Sequence, residues 1–197
     1  MATILVTGAN GQLGNEISLI AKDYGQHEFL MTDVDKLNIT SLPQLKKLFN
    51  NNKVDYIINC AAYTDVDKAE EDRKEAEKVN ITGVSNLAKL AANYQIKLFH
   101  ISTDYVFDGM TPKPYSEEVP ANPVGAYGQS KYKGEIEARR HTQTIILRTS
   151  WLYSRFGKNF VKTILSLAAE KSEISEVMDQ IGSPTYAHDL ALAIIQI

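Results

Sequence analysis

Apolar positions along the chain fall into two alternating rhythms. Short β-branched runs at Ile4–Val6, Glu28–Met31, Tyr56–Asn59, Leu98–Ile101 and Thr144–Leu147 read as strands buried on both faces. Between them Gln12–Lys22, Leu42–Asn51, Arg73–Asn93 and Tyr127–Arg140 repeat with the 3.6-residue period of amphipathic helices, and the third is the longest. Strands that alternate with helices pair in parallel through right-handed crossovers, so the pattern predicts an α/β fold built on a doubly wound parallel sheet. One connection breaks the rhythm. Thr103 to Gly125 carries Pro112, Pro114, Pro120 and Pro123 and no period, and a loop of that length inside a compact domain is usually functional. Beyond Trp151 the pattern loosens into a helix over Asn159–Glu170, a strand-like Glu173–Met178, and the segment Asp179–Thr185. A final apolar helix starts near His188 and stops at Ile197 without a cap, an ending that reads as a cut. The expected division is therefore a dinucleotide-binding domain over 1–150 and the start of a second, incomplete part over 151–197.

The first strand runs directly into Thr7-Gly-Ala-Asn-Gly-Gln-Leu-Gly14, with Gly8, Gly11 and Gly14 three apart at the opening of a helix. This is the Rossmann-type phosphate turn: glycines permit a tight bend and close backbone approach, and the helix N-terminus offers free N–H donors to a pyrophosphate. Asp33 ends the second strand, where a carboxylate would hydrogen-bond an adenosine ribose 2′-OH and favour NADH; Lys36 nearby softens that preference toward NADPH. Asp33 also reads as a turn residue before Val34-Asp35.

Tyr127 and Lys131 are one helical turn apart, and Ser102-Thr103-Asp104 ends the fourth strand. Because ligands of open parallel sheets bind at the carboxyl ends of strands, the phenol, the ammonium and the Thr103 hydroxyl are predicted to meet beside a cofactor. A ketone accepting a hydride builds negative charge on oxygen, which calls for a proton donor and a fixed hydrogen bond. Tyr127 would give the proton, Thr103 would hold the carbonyl, and Lys131 would lower the phenol's pKa.

These motifs, together with Asn59–Glu70, Ser102–Gly109, Tyr127–Lys131, Arg148–Tyr153 and Asp179–Thr185, resemble the dTDP-4-dehydrorhamnose reductase family of extended short-chain dehydrogenase/reductases. The resemblance runs from Met1 to the end of the chain. It implies reduction, with NADPH or NADH, of the C4 ketone of a dTDP-linked 4-keto-6-deoxy sugar, dTDP-4-dehydro-L-rhamnose. It further implies that Asn10, Gln12 and Leu13 beside the glycines, Asn38 and Ile39 near the adenine, and Ala61, Ala62 and Tyr63 line the cofactor cleft. Asn80 would support the site from behind. Lys131 would also bind the nicotinamide ribose, and Thr64, Val66, Thr103, Asp104, Tyr105, Trp151, Gln180 and Ser183 would contact substrate. Trp151 is the only tryptophan, and its flat face suits a deoxysugar as well as a core. Asn38 stands where many relatives carry Asp, and members of the family continue well beyond the length of this chain. Two other readings fit the same motifs: a regulatory cofactor-binding subunit like the beta subunit of methionine adenosyltransferase, and a reductase of another nucleotide-linked keto sugar.

Composition trims the remaining options. At 197 residues and 44% hydrophobic the chain can bury one substantial core. A net charge of −3 with no basic patch argues against nucleic acid. The single Cys60 has no disulfide partner and reads as a buried core residue. The start lacks a signal peptide, and no apolar run reaches the 18 or so residues that span a bilayer, so a cytoplasmic protein is expected, with a homodimer as one assembly it allows. His27, His100, His141 and His188 lack ligand spacing and no metal site is assigned; His100 reads as a hydrogen-bonded core residue. The charged run Asp65–Glu77, with Asp67 and Glu71 near Lys68, Arg73 and Lys74, reads as a solvated helix face.

Overall fold

A computed structural model describes residues 1–140 and 143–197; His141 lies outside the described residues. Five parallel strands, β1 (Thr3–Thr7), β2 (Glu28–Thr32), β3 (Tyr56–Asn59), β4 (Lys97–Thr103) and β5 (Thr144–Thr149), form one sheet in the order β2-β1-β3-β4-β5. Each contains the run predicted from its β-branched residues. The chain moves one way from β1 to β2 and the other way from β1 to β3, so the strand order switches direction between β1 and β3. That switch point is where an open α/β sheet leaves a crevice at its carboxyl edge.

Neighbouring residues in each strand point to opposite faces. Leu5, Ile57 and Leu98 pack with Leu45 and Phe49 of α2 (Leu42–Asn51) and Leu87, Leu90 and Ala91 of a later helix, α5 (Val84–Tyr94). On the other face Val6, Ile58 and Phe99 pack with Leu13 and Ile17 of α1 (Gln12–Ile20) and with Ala187, Ala191 and Ile194 of the last helix, α8 (Ala187–Gln196). The final helix thus covers the same sheet as the first one, although it lies beyond residue 150.

The helix expected over Arg73–Asn93 is not continuous. A short α3 (Lys68–Glu71) precedes α4 (Arg73–Glu77), and Lys78–Gly83 forms a wide π-helical turn before α5. In the charged run the ion pairs join Arg73 to Glu70, Lys78 to Glu75 and Lys133 to Glu77, rather than starting from Asp67 or Glu71. Helix α6 (Ala126–Arg139) carries Tyr127 and Lys131 near its start. Past β5 lie two-residue strands β6 (Leu152–Tyr153) and β7 (Thr185–Tyr186), paired in parallel, with α7 (Phe160–Glu170) between them. The strand expected at Glu173–Met178 does not form: the segment is irregular and exposed, because alternation without a partner ladder leaves backbone groups to water.

Candidate active site

The glycine turn follows β1 at the switch point. Gly8 holds a left-handed backbone (φ 67°), and a Cβ there would come within 2.6 Å of the Ala61 nitrogen, so only glycine lets this turn lie against the end of β3. Ala9 N–H donates to Thr32 O at 2.9 Å, and Asn10 N–H donates to Asp33 Oδ2 at 2.8 Å. Asp33 Oδ1 also accepts from Val34 N–H at 2.7 Å. The carboxylate thus ties the second strand to the glycine turn, and an ionised carboxylate retains lone pairs for a further donor. Below the turn, a polar ladder crosses three strands: Thr7 Oγ1 donates to Asn59 Oδ1 (2.7 Å), and Asn59 Nδ2 donates to His100 Nδ1 (3.0 Å). His100 is fully buried, and burial, with Lys131 nearby, holds its pKa well below the usual imidazole value.

Thr103 ends β4. Its Oγ1 donates to Asp104 Oδ1 at 3.1 Å and accepts Tyr105 N–H at 3.3 Å. Tyr105 meets Tyr127 edge-on, ring centres 5.5 Å apart. The start of α6 is fixed from a distance: Gly125 offers no side-chain cap, and Glu70 Oε1 accepts the Ala126 N–H at 2.6 Å. A carboxylate at a helix N-terminus satisfies an orphan donor and meets the positive dipole end. That bond, followed by Arg73, lowers the pKa of Glu70. Behind α6, Asn80 sits in the π-helical turn and clamps the strand-β3 loop. Its Oδ1 accepts Tyr63 N–H (2.9 Å), and its Nδ2 donates to Tyr63 O (3.1 Å) and Ser130 Oγ (2.9 Å). Ser130 Oγ in turn donates to Tyr127 O at 2.8 Å.

Electrostatics correct one expectation. Lys131 is buried and its Nζ donates to Ile101 O at 2.7 Å; desolvation brings its pKa down to about 8, opposed by Glu135. Tyr127 is not acidified by the lysine. Burial pushes its phenol up to about 12, against the Thr103 hydroxyl and with help from the Asp104 carboxylate and Tyr105. One turn beyond Lys131, the buried Glu135 accepts from Arg148 Nε (2.9 Å) and Nη2 (2.7 Å) and from Arg139 (3.0 Å). Cys60 is half-buried on the cleft wall rather than fully buried in the core, and desolvation raises its thiol to about 12.

The glycine turn, Asp33, Cys60, Thr103, Asp104, Tyr105, Tyr127 and Lys131 open onto one cleft of about 1270 Å³. Gly8, Asn10, Gly11, Gln12, Leu13, Gly14, Asp33, Asn38, Ile39, Ala61, Ala62 and Tyr63 line it, with Thr64, Val66, Thr103, Asp104, Tyr105, Tyr127, Lys131, Trp151 and Gln180. Asn80 and Ser183 do not. Asn80 lies behind the wall as expected, whereas Ser183 reaches the site only through its carbonyl, which accepts from Ser150 Oγ at 2.6 Å. Asn38 uses its Oδ1 locally, accepting from Thr40 N–H and Oγ1. Ser102 and Thr149 belong to the cleft wall, with their hydroxyls buried behind its surface and without a hydrogen-bond partner among the described residues.

Trp151 holds a left-handed backbone, φ 47°, a conformation that costs a bulky residue about 1–3 kcal/mol and gathers at functional sites. Two contacts hold it. Its carbonyl accepts Thr185 N–H at 3.3 Å, and its indole lies on Gly182, where a Cβ would stand 2.5 Å from the ring. Sequence reasoning missed Tyr153, Lys158, Phe160 and Val161, which also line the cleft; the helix-capping Asn159 before Phe160 was the available signal.

An open parallel sheet with a glycine turn at its switch point, and a Thr, a Tyr and a Lys gathered at the adjoining strand ends, defines the class: an extended short-chain dehydrogenase/reductase-type dinucleotide fold. Within it, the chain belongs to the RmlD substrate binding domain family, which matches residues 1–197. A dTDP-4-dehydrorhamnose reductase of Aggregatibacter actinomycetemcomitans is 43% identical over 198 residues, covering 100% of this chain and 67% of that protein. A dTDP-4-keto-6-deoxy-D-glucose reductase of Streptomyces niveus is 36% identical over 194 residues, 97% of this chain and 67% of its own length. The crystal structure of a Bacillus anthracis dTDP-4-dehydrorhamnose reductase in complex with NADP superposes with a TM-score of 0.96 at 42% identity, covering 100% of this chain and 70% of that one. The chain thus spans about two thirds of the length of these relatives.

Proposed function

We propose that this chain carries the cofactor-binding and proton-donating part of a reductase that converts the C4 ketone of dTDP-4-dehydro-L-rhamnose to the alcohol of dTDP-L-rhamnose. The observation that carries the reading is the convergence of Thr103, Tyr127 and Lys131 on the cleft that also exposes the glycine turn. A reduced nicotinamide dinucleotide, NADPH or NADH, supplies the hydride. The glycine turn and the N-terminus of α1 would hold its pyrophosphate, a fit supported by Gly11, where a Cβ would meet only Gly8 O, at 3.3 Å, so that the open side of the turn is bare backbone. Asp33 would meet the adenosine ribose, and the NADP bound to the B. anthracis relative supports tolerance of a 2′-phosphate. Lys131 would reach the nicotinamide ribose.

The high pKa of Tyr127 suits the reductive direction. At neutral pH the residue is a neutral phenol and can donate. As charge grows on the C4 oxygen, that oxygen becomes a stronger base than phenolate, and the proton moves from Tyr127 Oη to it. The Thr103 hydroxyl turns from Asp104 to donate to the same oxygen, which holds the ketone in line. Trp151 would pack on the deoxysugar, with Thr64, Val66, Asp104, Tyr105 and Gln180 around it; Ser183 would act only through its carbonyl.

The assay offers full-length protein NADPH or NADH with dTDP-4-dehydro-L-rhamnose. Loss of reduced-cofactor absorbance with matching dTDP-L-rhamnose is the expected result, and no ketone-dependent oxidation overturns the proposal. The S. niveus relative favours a second reading, another dTDP-linked keto sugar, and faster turnover of dTDP-4-keto-6-deoxy-D-glucose in the same assay would establish it. A cytoplasmic location and a homodimer belong to the proposal; fractionation and sedimentation check them.

A further inference from the structure

The cleft wall formed by residues 151–161 is anchored at its start, where Leu152 packs on the sheet core and β6 pairs with β7 with Tyr153 stacked on Tyr186, but α7, which begins inside it, has no buried residue. What holds the rest of this wall is polar and comes from one turn of α1. Gln12, directly after Gly11 of the phosphate turn, accepts Asn159 Nδ2 at 2.9 Å and donates to Leu152 O at 3.4 Å. One turn later, the fully buried carboxylate of Glu16 accepts Ser154 Oγ at 2.6 Å, meets His188 Nδ1 at 3.2 Å and lies 3.9 Å from Arg155 Nε. Asn159 completes the clamp: its Nδ2 also donates to Ser154 O (2.7 Å), and its Oδ1 accepts Lys162 N–H (3.0 Å), which caps α7. Gln12 lines the cleft beside the phosphate turn, and its side-chain oxygen holds Asn159.

We propose that Gln12, Glu16 and Asn159 are positioning residues that register the wall bearing Trp151, Lys158 and Phe160 against the dinucleotide turn, so that affinity for the nucleotide sugar is set from α1. This rests on the reading of the cleft as a site for cofactor and nucleotide sugar together. Residues i and i+4 on one helix face move as a unit, so a wall hung on Gln12 and Glu16 keeps its distance from the phosphate turn whatever the exposed α7 does.

Asn159→Ser keeps an oxygen to cap α7 but removes both Nδ2 bonds, and Gln12→Met keeps the bulk of Gln12 while removing its polar end. In the full-length reductase, loss of each net hydrogen bond corresponds to about a five- to tenfold effect, so the two bonds lost in Asn159→Ser set a rise in KM for the keto sugar of about 25-fold or more. Asn159→Ser is expected to show that rise with kcat and NADPH affinity within about twofold of wild type. The double variant is expected to fall well short of the product of the two single effects, since the variants share the Gln12–Asn159 bond although each also loses one of its own, to Leu152 O and to Ser154 O. An unchanged KM, a KM rise that multiplies in the double variant, or an NADPH affinity that falls in step with KM overturns the proposal. Hydrogen exchange of the amides of 151–161, measured without substrate, is expected to quicken in both single variants while those of 13–20 hold. Unchanged exchange refutes the clamp, whereas a wild-type protein that reduces no ketone refutes the functional reading and leaves the exchange result standing.

Discussion

Replacing Asn80 with alanine isolates the support behind the site. Asn80 is 1% exposed and makes three hydrogen bonds, two to the backbone of Tyr63 and one to Ser130 Oγ. Ser130 keeps its bond to Tyr127 O, so the loss falls on the Tyr63 N–H and C=O. At about 1 kcal/mol for each net bond, with about 1 kcal/mol for the small void left behind, the variant should lose about 3 kcal/mol. With a urea dependence of about 2 kcal/mol per molar, that lowers the unfolding midpoint by roughly 1.5 M. Asn86→Ala is the internal standard. Asn86 is also buried and donates a single bond, to Ile39 O at 3.1 Å, so with the same void its loss should be about 2 kcal/mol. Urea titrations followed by circular dichroism compare the two directly. If Asn80→Ala costs no more than Asn86→Ala, the three-bond clamp is not what holds the Tyr63 loop.

Three further outcomes follow from the charges and the cleft. Lys131 has a folded pKa of about 8 against an ordinary 10.5, so above pH 8 the unfolded chain binds more protons than the folded one and stability rises with pH up to about 10.5. Lys131→Met should therefore be more stable than wild type at pH 7 by up to about 3 kcal/mol, less the lost bond to Ile101 O, and the gap should close between pH 8 and 10.5; a pH-independent gap in chemical denaturation contradicts the burial. Arg148→Met strips two of the three charge-assisted bonds from the fully buried Glu135 and should cost about 3 kcal/mol by calorimetry, whereas a loss under about 1 kcal/mol would mean the pair is screened. Trp151, the sole tryptophan and 44% exposed on the cleft, should change its emission on titration with dTDP-L-rhamnose, and no change at saturation would remove it from the sugar site.

The fold was legible where periodicity speaks. All five sheet strands begin or contain their predicted runs, since a strand buried on both faces must be β-branched and apolar. The glycine turn and the strand-end threonine were legible because the switch-point rule turns sequence order into proximity. Contacts at long sequence distance were not. Nothing local marks Glu70 as the cap of α6, Gln12 as the partner of Asn159, or Glu16 as the partner of Ser154 and His188. The π-helical turn at Lys78–Gly83 keeps nearly the apolar rhythm of an α-helix, so the sequence reads straight through it. Glu173–Met178 alternates like a strand yet has no ladder to join, and β6 and β7, two residues each, are too short to show a period. Spacing on α6 sets Lys131 one turn from Tyr127, but it does not reveal that the ammonium donates to Ile101 O or that burial governs the phenol.

The central claim is that a buried, neutral phenol at position 127 delivers the proton in a cleft shared with the dinucleotide. Tyr127→Phe in the full-length protein removes only that hydroxyl, and the decisive measurement pairs ketone-dependent NADPH oxidation with an NADPH-binding titration. Turnover is expected to fall by about 10²-fold or more with cofactor affinity within about threefold of wild type; turnover that survives the substitution would contradict the proton-donor role of Tyr127.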